Sequence, residues 1–367
     1  MGKATVYYIM HTERCVAQVS TAGECKTYFE DFMPYDLVLK ESNDFDTRIN
    51  NVISFHSWCA SRLIPRDRTY AKEILNSIGA SQSVTDRERA QIALSYHCLS
   101  LLDVFWVKEE NETVRFEDIN LYTHSLSNAL VDIALRGHQM AVTNAHLLAN
   151  DLSTGGCCPK AWVRKEEGFY LYKDGGQDAV EREVLASKIC RCFDCHQVLY
   201  EQGMFENEPV SISKIMTSQR YSLVTYAAYD VYCTNHDWNT LDKILELDAH
   251  GYYMMNILDY LVGNTDRHWE NWGLLVDNET NQPIRLHDLM DFNRAFQQYD
   301  ILDGASCLTV GKRHLSQREA ALEAVRNIDL NQLHNVDGTI FRRYKIRKDL
   351  FKIRLTILTS ETSKMKI

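Results

Sequence analysis

Gly263-Asn264-Thr265-Asp266-Arg267-His268-Trp269-Glu270-Asn271-Trp272-Gly273-Leu274-Leu275-Val276 is the stretch on which the reading of this chain turns. It begins where a helix ends and leads into an apolar strand. The helix is expected over 241–262, because Ile244, Leu245, Leu247, Tyr252, Met255, Leu258 and Leu261 recur at helical spacing before Gly263. Between the two elements an Asp precedes an Asn by five residues. Downstream, the run Arg285-Leu286-His287-Asp288-Leu289-Met290-Asp291-Phe292-Asn293-Arg294-Ala295-Phe296 adds two more carboxylates after the strand. A carboxylate can accept a proton, and carboxylate and carboxamide oxygens are hard ligands for a small divalent cation.

The Asp266–Asn271 spacing equals the D-x-x-x-x-N of a kinase catalytic loop, where the Asp orients and deprotonates the attacking hydroxyl and the Asn holds a metal ion. Asp291-Phe292-Asn293 falls where kinases place the Asp-Phe-Gly carboxylate. Asp288 flanks the same turn and is a rival ligand. Working upstream, Asp151 to Lys160 is a turn-rich loop, 161–164 and 169–173 read as strands, and 179–192 reads as a helix. Lys173 would then sit at a strand end and Glu183 on the next helix, supplying a phosphate-binding Lys held by a Glu. Glu181 competes for that place, and Glu183 fits the helix face better. Further strands are expected at 198–200 and 221–226. The order along the chain is glycine-rich loop, Lys, Glu, Asp, Asn, Asp.

The Gly263 to His268 run with Asn271, the Ser153-Thr154-Gly155-Gly156-Cys157-Cys158-Pro159-Lys160 loop, and Glu183-Val184-Leu185-Ala186-Ser187 resemble the motifs of bacterial HipA-like serine/threonine kinases. The resemblance covers residues 150–300 best. It departs from the family at Cys157-Cys158 and at Met290-Asp291-Phe292-Asn293. It implies an α+β, two-lobed protein-kinase-like fold with a small β-rich N-lobe and a helical C-lobe, preceded by an N-terminal accessory domain. The corresponding segments are 1–149, 150–235 and 236–367. It also implies ATP with Mg²⁺ and transfer of the γ-phosphoryl group to a protein Ser or Thr hydroxyl. Asp266 is carried over as the catalytic Asp, Asn271 and Asp291 as metal ligands, and Lys173, with Glu183, as the phosphate-binding Lys. Gly155, Gly156 and Lys160 are carried over as the nucleotide loop, and Ser153 as the position that some members autophosphorylate. Some members are toxins, so an antitoxin-like regulatory protein is the implied partner. A small-molecule kinase on the same fold and a nucleotide-binding pseudokinase are the alternatives.

Composition sets the outer bounds. The 367 residues are 45% hydrophobic and 25% charged, ordinary globular values that exclude disordered and collagen-like classes. Five prolines and 16 glycines are few, which favours long helices over an all-β sandwich. The net charge of −10 argues against direct nucleic-acid binding, although residues 312–366 carry 13 Lys/Arg against 6 Asp/Glu. There, Ile346, Leu350, Ile353 and Ile357 predict a packed amphipathic helix with a basic outer face. No run of about 18 apolar residues and no secretory leader is present, so a cytoplasmic protein without membrane spans is expected. The 11 cysteines read as reduced thiols, Cys190, Cys192 and Cys195 among them, since no second C-x-x-C completes a zinc site. Trp106, Trp162 and Trp272 are expected in the core.

Overall fold

Strand β1 (Val6–His11) returns as β2 (Arg14–Ser20), which pairs in turn with β3 (Cys25–Thr27). In the computed structural model of the 367-residue chain, residues 4–63, 85–124, 160–205, 207–297, 301–328 and 336–364 are described. They group into two compact units: Met1–Phe169 with Thr217–Ser222 and Asp277–Gln282, and Tyr170–Met216 with Leu223–Val276 and Pro283–Ile367.

In the first unit, helix α1 (Phe45–Ser61) starts at Asp44, whose carboxylate accepts from Thr47 N at 2.9 Å. Helix α2 (Asp86–Ser95) opens with a Thr85/Glu88 capping box. The chain then turns through His97 and Cys98, both at left-handed φ, into β4 (Phe105–Glu109), which completes the sheet order β3-β2-β1-β4. That turn ends α2 at Ser95 although helical periodicity runs to Leu101. Ile9, Val16, Val19, Phe55, Trp58 and Trp106 are buried in this unit, and Phe55 of α1 stacks on Tyr7 of β1. Strand β5 (Lys160–Lys165) closes the described part of the first stretch, with Trp162 buried.

The second unit is built on β6 (Gly168–Lys173), helix α3 (Gly176–Cys190), β7 (Tyr200–Phe205) and β8 (Glu208–Lys214). Strand β8 runs between β6 and β7, antiparallel to both, and sets Ser211 opposite Lys173. A second sheet has the order β11-β10-β9, from β9 (Tyr221–Thr225), β10 (Gly273–Asp277) and β11 (Gln282–Leu286). Helices α4 (Tyr226–Asn235), α5 (Thr240–Val262), α6 (Gln317–Val325) and α7 (Lys345–Lys364) complete it, with α6 and α7 packed on α5. Trp272 is buried and stacks on Tyr226 at 4.5 Å between ring centroids. The chain is thus a mixed helix-and-sheet protein with small antiparallel sheets. Among the described residues no helix is long and apolar enough to cross a membrane.

Two expectations change. The continuous helix over 241–262 is broken at Asp248, with φ −153° and ψ 68°, and the carboxylate there caps the second half by accepting from Gly251 N at 2.8 Å. Its other oxygen accepts from Leu286 N at 3.0 Å, so one side chain starts a helix and docks β11. Helix α7 is also rotated from its predicted stripe: Ile346 and Ile353 are 68% and 47% exposed, while Arg347, Leu350, Phe351, Arg354 and Leu358 face inward. Asp248→Ala should therefore lower stability by about 1–2 kcal/mol, and Asp248→Asn by much less, in urea unfolding.

Candidate functional site

Lys173 ends β6 and Glu183 lies two turns into α3, on the face that also buries Val180, Val184 and Ser187. Gly176, at φ 77°, makes the turn between strand and helix that brings them together. The ammonium is 2.8 Å from Glu183 Oε1 and 3.2 Å from Asp291 Oδ1, and it lies over the Tyr200 ring at 5.1 Å. The Ser211 hydroxyl donates to the other Glu183 oxygen, and Asp291 N donates to the Tyr200 oxygen at 3.1 Å. Burial disfavours the charge on Lys173. The Asp291 and Glu183 carboxylates outweigh it and hold the amine protonated well above its ordinary range. Burial first, and then Glu183 and Asp291 against the pull of Lys173, raises the Tyr200 phenol so that it stays neutral.

A second buried pair organises the loop. Helix α5 ends at Gly263 in the left-handed region, and Asp259 in its last turn receives Arg267 through Nε and Nη2 at 2.8 and 2.9 Å. Arg267 Nη1 also donates to the carbonyls of Asn271 and Met290 at 2.8 and 2.5 Å. The same guanidinium therefore fixes the loop to the residue preceding Asp291. Asn264 adds a parallel link, donating to Asp259 at 3.0 Å and to the Asp291 carbonyl at 3.5 Å. Asn271 turns its Nδ2 to the Asp266 carbonyl at 2.9 Å, which leaves its carboxamide oxygen as the remaining polar atom of the side chain.

The structure thus brings Lys173, Glu183 and Asp291 into direct contact and ties Asp266 and Asn271 into one loop. Asp266 is part exposed and has Arg294 Nε 3.4 Å from its carboxylate. Asp288 pairs with Arg285 at 2.8 Å, and Glu181 accepts from Gln177, so neither reaches Lys173. Lys160 is the first residue of β5. Ser153, Gly155 and Gly156 lie outside the described residues. His268 accepts from Glu270 N at 3.3 Å within the loop. Cys190 is buried, Cys192 and Cys195 are part-buried, and all three are free thiols. Sequence reasoning did not find Tyr200, Ser211, Asp259, Arg267 or Arg294. The signal for Arg267 was its position beside Asp266, but nothing local shows that a guanidinium is buried.

Lys173, Glu183 and Asp291 together carry one excess negative charge in a largely buried site. The Asn271 carboxamide and the Asp291 carboxylate are hard oxygen donors of the type a divalent cation takes, but among the described residues no group of three or more His, Cys, Asp or Glu side chains converges as a metal site.

No protein-family model and no curated protein matches the chain. Among solved structures it is similar to the Helicobacter pylori proinflammatory kinase CtkA, at 16% identity, 57% of this chain, 90% of that chain and a TM-score of 0.42. It is also similar to a chain of the Shewanella oneidensis MR-1 toxin–antitoxin complex of HipA, HipB and its operator DNA. There the identity is 12%, over 97% of this chain and 95% of that chain, with a TM-score of 0.48.

His287 precedes this turn, is 2% exposed, and donates from Nδ1 to the Asp288 carbonyl at 2.7 Å. Burial, reinforced by the charge of Arg267, lowers its pKa from 6.5 to about 4, and burial does the same for His11 in the first unit. The unfolded chain binds these protons first as pH falls. Stability is thus full above pH 6.5 and declines from there to pH 4, by at most about 1.4 kcal/mol per pH unit for each histidine. His287→Gln should flatten that decline between pH 6.5 and 5 in urea midpoints, and an unchanged slope would show that other groups set it.

Proposed function

We propose that the chain is an ATP- and Mg²⁺-dependent phosphotransferase acting on a serine or threonine hydroxyl of a protein. The observation that supports this best is the buried Lys173 held by a helix-borne Glu183 on one side and by Asp291 on the other. Protein kinases use the same trio to grip nucleotide phosphates and the metal that bridges them. In this reading Lys173 neutralises phosphate charge, Glu183 fixes its direction, and Asp266 orients the acceptor hydroxyl and accepts its proton. Asn271 and Asp291 would hold Mg²⁺, which when bound draws negative charge from the phosphates. Gly155, Gly156 and Lys160 would cover the nucleotide. The motif resemblance extends the proposal to phosphorylation of Ser153 by the chain itself and to an antitoxin-like protein partner.

Phosphoryl transfer of this kind depends on positioning and charge stabilisation, so the roles separate kinetically. Asp266→Asn should lower turnover by on the order of 10² or more with ATP affinity nearly kept. Asp291→Asn should weaken Mg²⁺-dependent ATP binding as well as transfer, and Lys173→Met should remove most of the thermal stabilisation by ATP. Asp288→Asn, at the carboxylate that pairs with Arg285, should do neither. The measurements are calorimetric ATP affinity at several Mg²⁺ concentrations and transfer of labelled phosphate to a protein acceptor. Full transfer by Asp266→Asn would refute the mechanism, and a metal defect confined to Asp288→Asn would reassign the ligand.

A further inference from the structure

None of these roles uses helix α7, yet two arginines two turns apart on it point inward: Arg347 and Arg354 are 6% and 1% exposed. Arg347 Nη2 is 2.5 Å from Asp178 Oδ1 in the first turn of α3, and its guanidinium lies over the Tyr344 ring. Asp178 also takes Arg182, and Arg182 Nε donates to the Asn293 carbonyl at 3.0 Å, two residues beyond Asp291. The helix that carries Glu183 is thereby held by α7 and by the turn that carries Asp291.

Arg354 reaches the other half of the site. Its guanidinium lies 5.5 Å from the Tyr260 ring centroid in the last turn of α5 and donates to the Ile301 carbonyl at 3.2 Å. A Cβ on residue 263 would run into that guanidinium, so Arg354 packs against the glycine at which α5 ends and the Asp266 loop departs. A single rigid helix therefore touches the supports of both the Lys173–Glu183 pair and the loop. We propose that α7 is a strut for the site, with Arg347 and Arg354 as positioning residues: Arg347 keeps Glu183 on Lys173, and Arg354 keeps the loop in register. The Arg354 arm and the KM readout of the Arg347 arm rest on the phosphotransfer reading; the protection of Lys173 by Arg347 does not.

The test combines labelling with kinetics on the full chain. Without nucleotide, Lys173 should be acylated slowly by a lysine-directed reagent, followed by peptide mass spectrometry. Arg347→Leu or Asp178→Asn should speed that acylation about tenfold and raise KM for ATP more than it lowers kcat. Arg354→Leu should lower kcat about tenfold with KM and Lys173 labelling unchanged. Arg347→Lys should restore part of the protection, and Lys352→Ala, on the exposed face, should change nothing. Asp178 is 64% exposed and Arg354→Lys keeps charge and stem, so these two decide each arm if a leucine variant does not fold. The strut is overturned if Lys173 labelling is unchanged in Asp178→Asn, or if every variant loses kcat only in proportion to its folded fraction. A wild-type chain that transfers no phosphate would overturn the Arg354 arm together with the proposed function, while the labelling would still decide Arg347.

Discussion

A buried ammonium between two carboxylates is the constraint around which the second unit is arranged. Lys173 is 7% and Glu183 1% exposed, and either charge alone in that place would cost several kcal/mol in lost hydration. The strand end, the helix and the turn at Asp291 are therefore brought together where Lys173 meets both carboxylates. Ser211 and Tyr200 complete it by donating to Glu183 and accepting from Asp291 N. Such a pair is weak evidence of extra stability, since an apolar trio of the same volume could serve the fold as well.

The Asp259–Arg267 pair does for the loop what Lys173 does for the sheet. Arg267 is 3% exposed and meets a carboxylate and two carbonyls, so most of its donors are used in directions set by the planar guanidinium. A lysine could not make those bonds at once. Because one acceptor belongs to Asn271 and another to Met290, movement of the loop is resisted by the turn that bears Asp291. The two buried networks meet at that turn.

The part of this arrangement that was legible in the sequence is the part carried by unusual residue types at fixed spacing. Asp266, Asn271, Lys173 and Glu183 stand out by their order and by the faces that a strand and a helix must present, and Lys173, Glu183 and Asp291 lie in direct contact. The preference for Glu183 over Glu181 followed from helix geometry alone. What failed to show was whatever depends on a polar residue facing inward. In β8 the run Val210-Ser211-Ile212-Ser213 alternates, but Ser211 and Ser213 are buried while Ile212 is only half-buried, so the alternation points to the wrong face. In α7 the isoleucines invited a stripe through Ile346 and Ile353, whereas the buried line runs through Arg347 and Arg354, one residue away. Periodicity fixes that a helix exists more firmly than which edge of a wide stripe is covered. Asp248 escaped for a related reason: a capping Asp inside an apolar run reads as one more exposed helix residue.

Asp291 itself shows how the two networks are coupled. Its φ of 59° is left-handed, a region that Asp tolerates better than most residues but that still costs free energy relative to extended backbone. Four contacts determine it. Its amide is directed at Tyr200, its carbonyl at Asn264 and its carboxylate at Lys173, while Phe292 behind it is fully buried beneath the Arg267 guanidinium at 5.1 Å. Glycine would meet the backbone requirement with less strain but would supply no carboxylate, and an extended Asp would turn its carboxylate away from Lys173. The conformation is thus the one in which a single residue can close the pair on the sheet side while its backbone stays fastened to the loop, and the cost at φ is offset by the contacts on both sides.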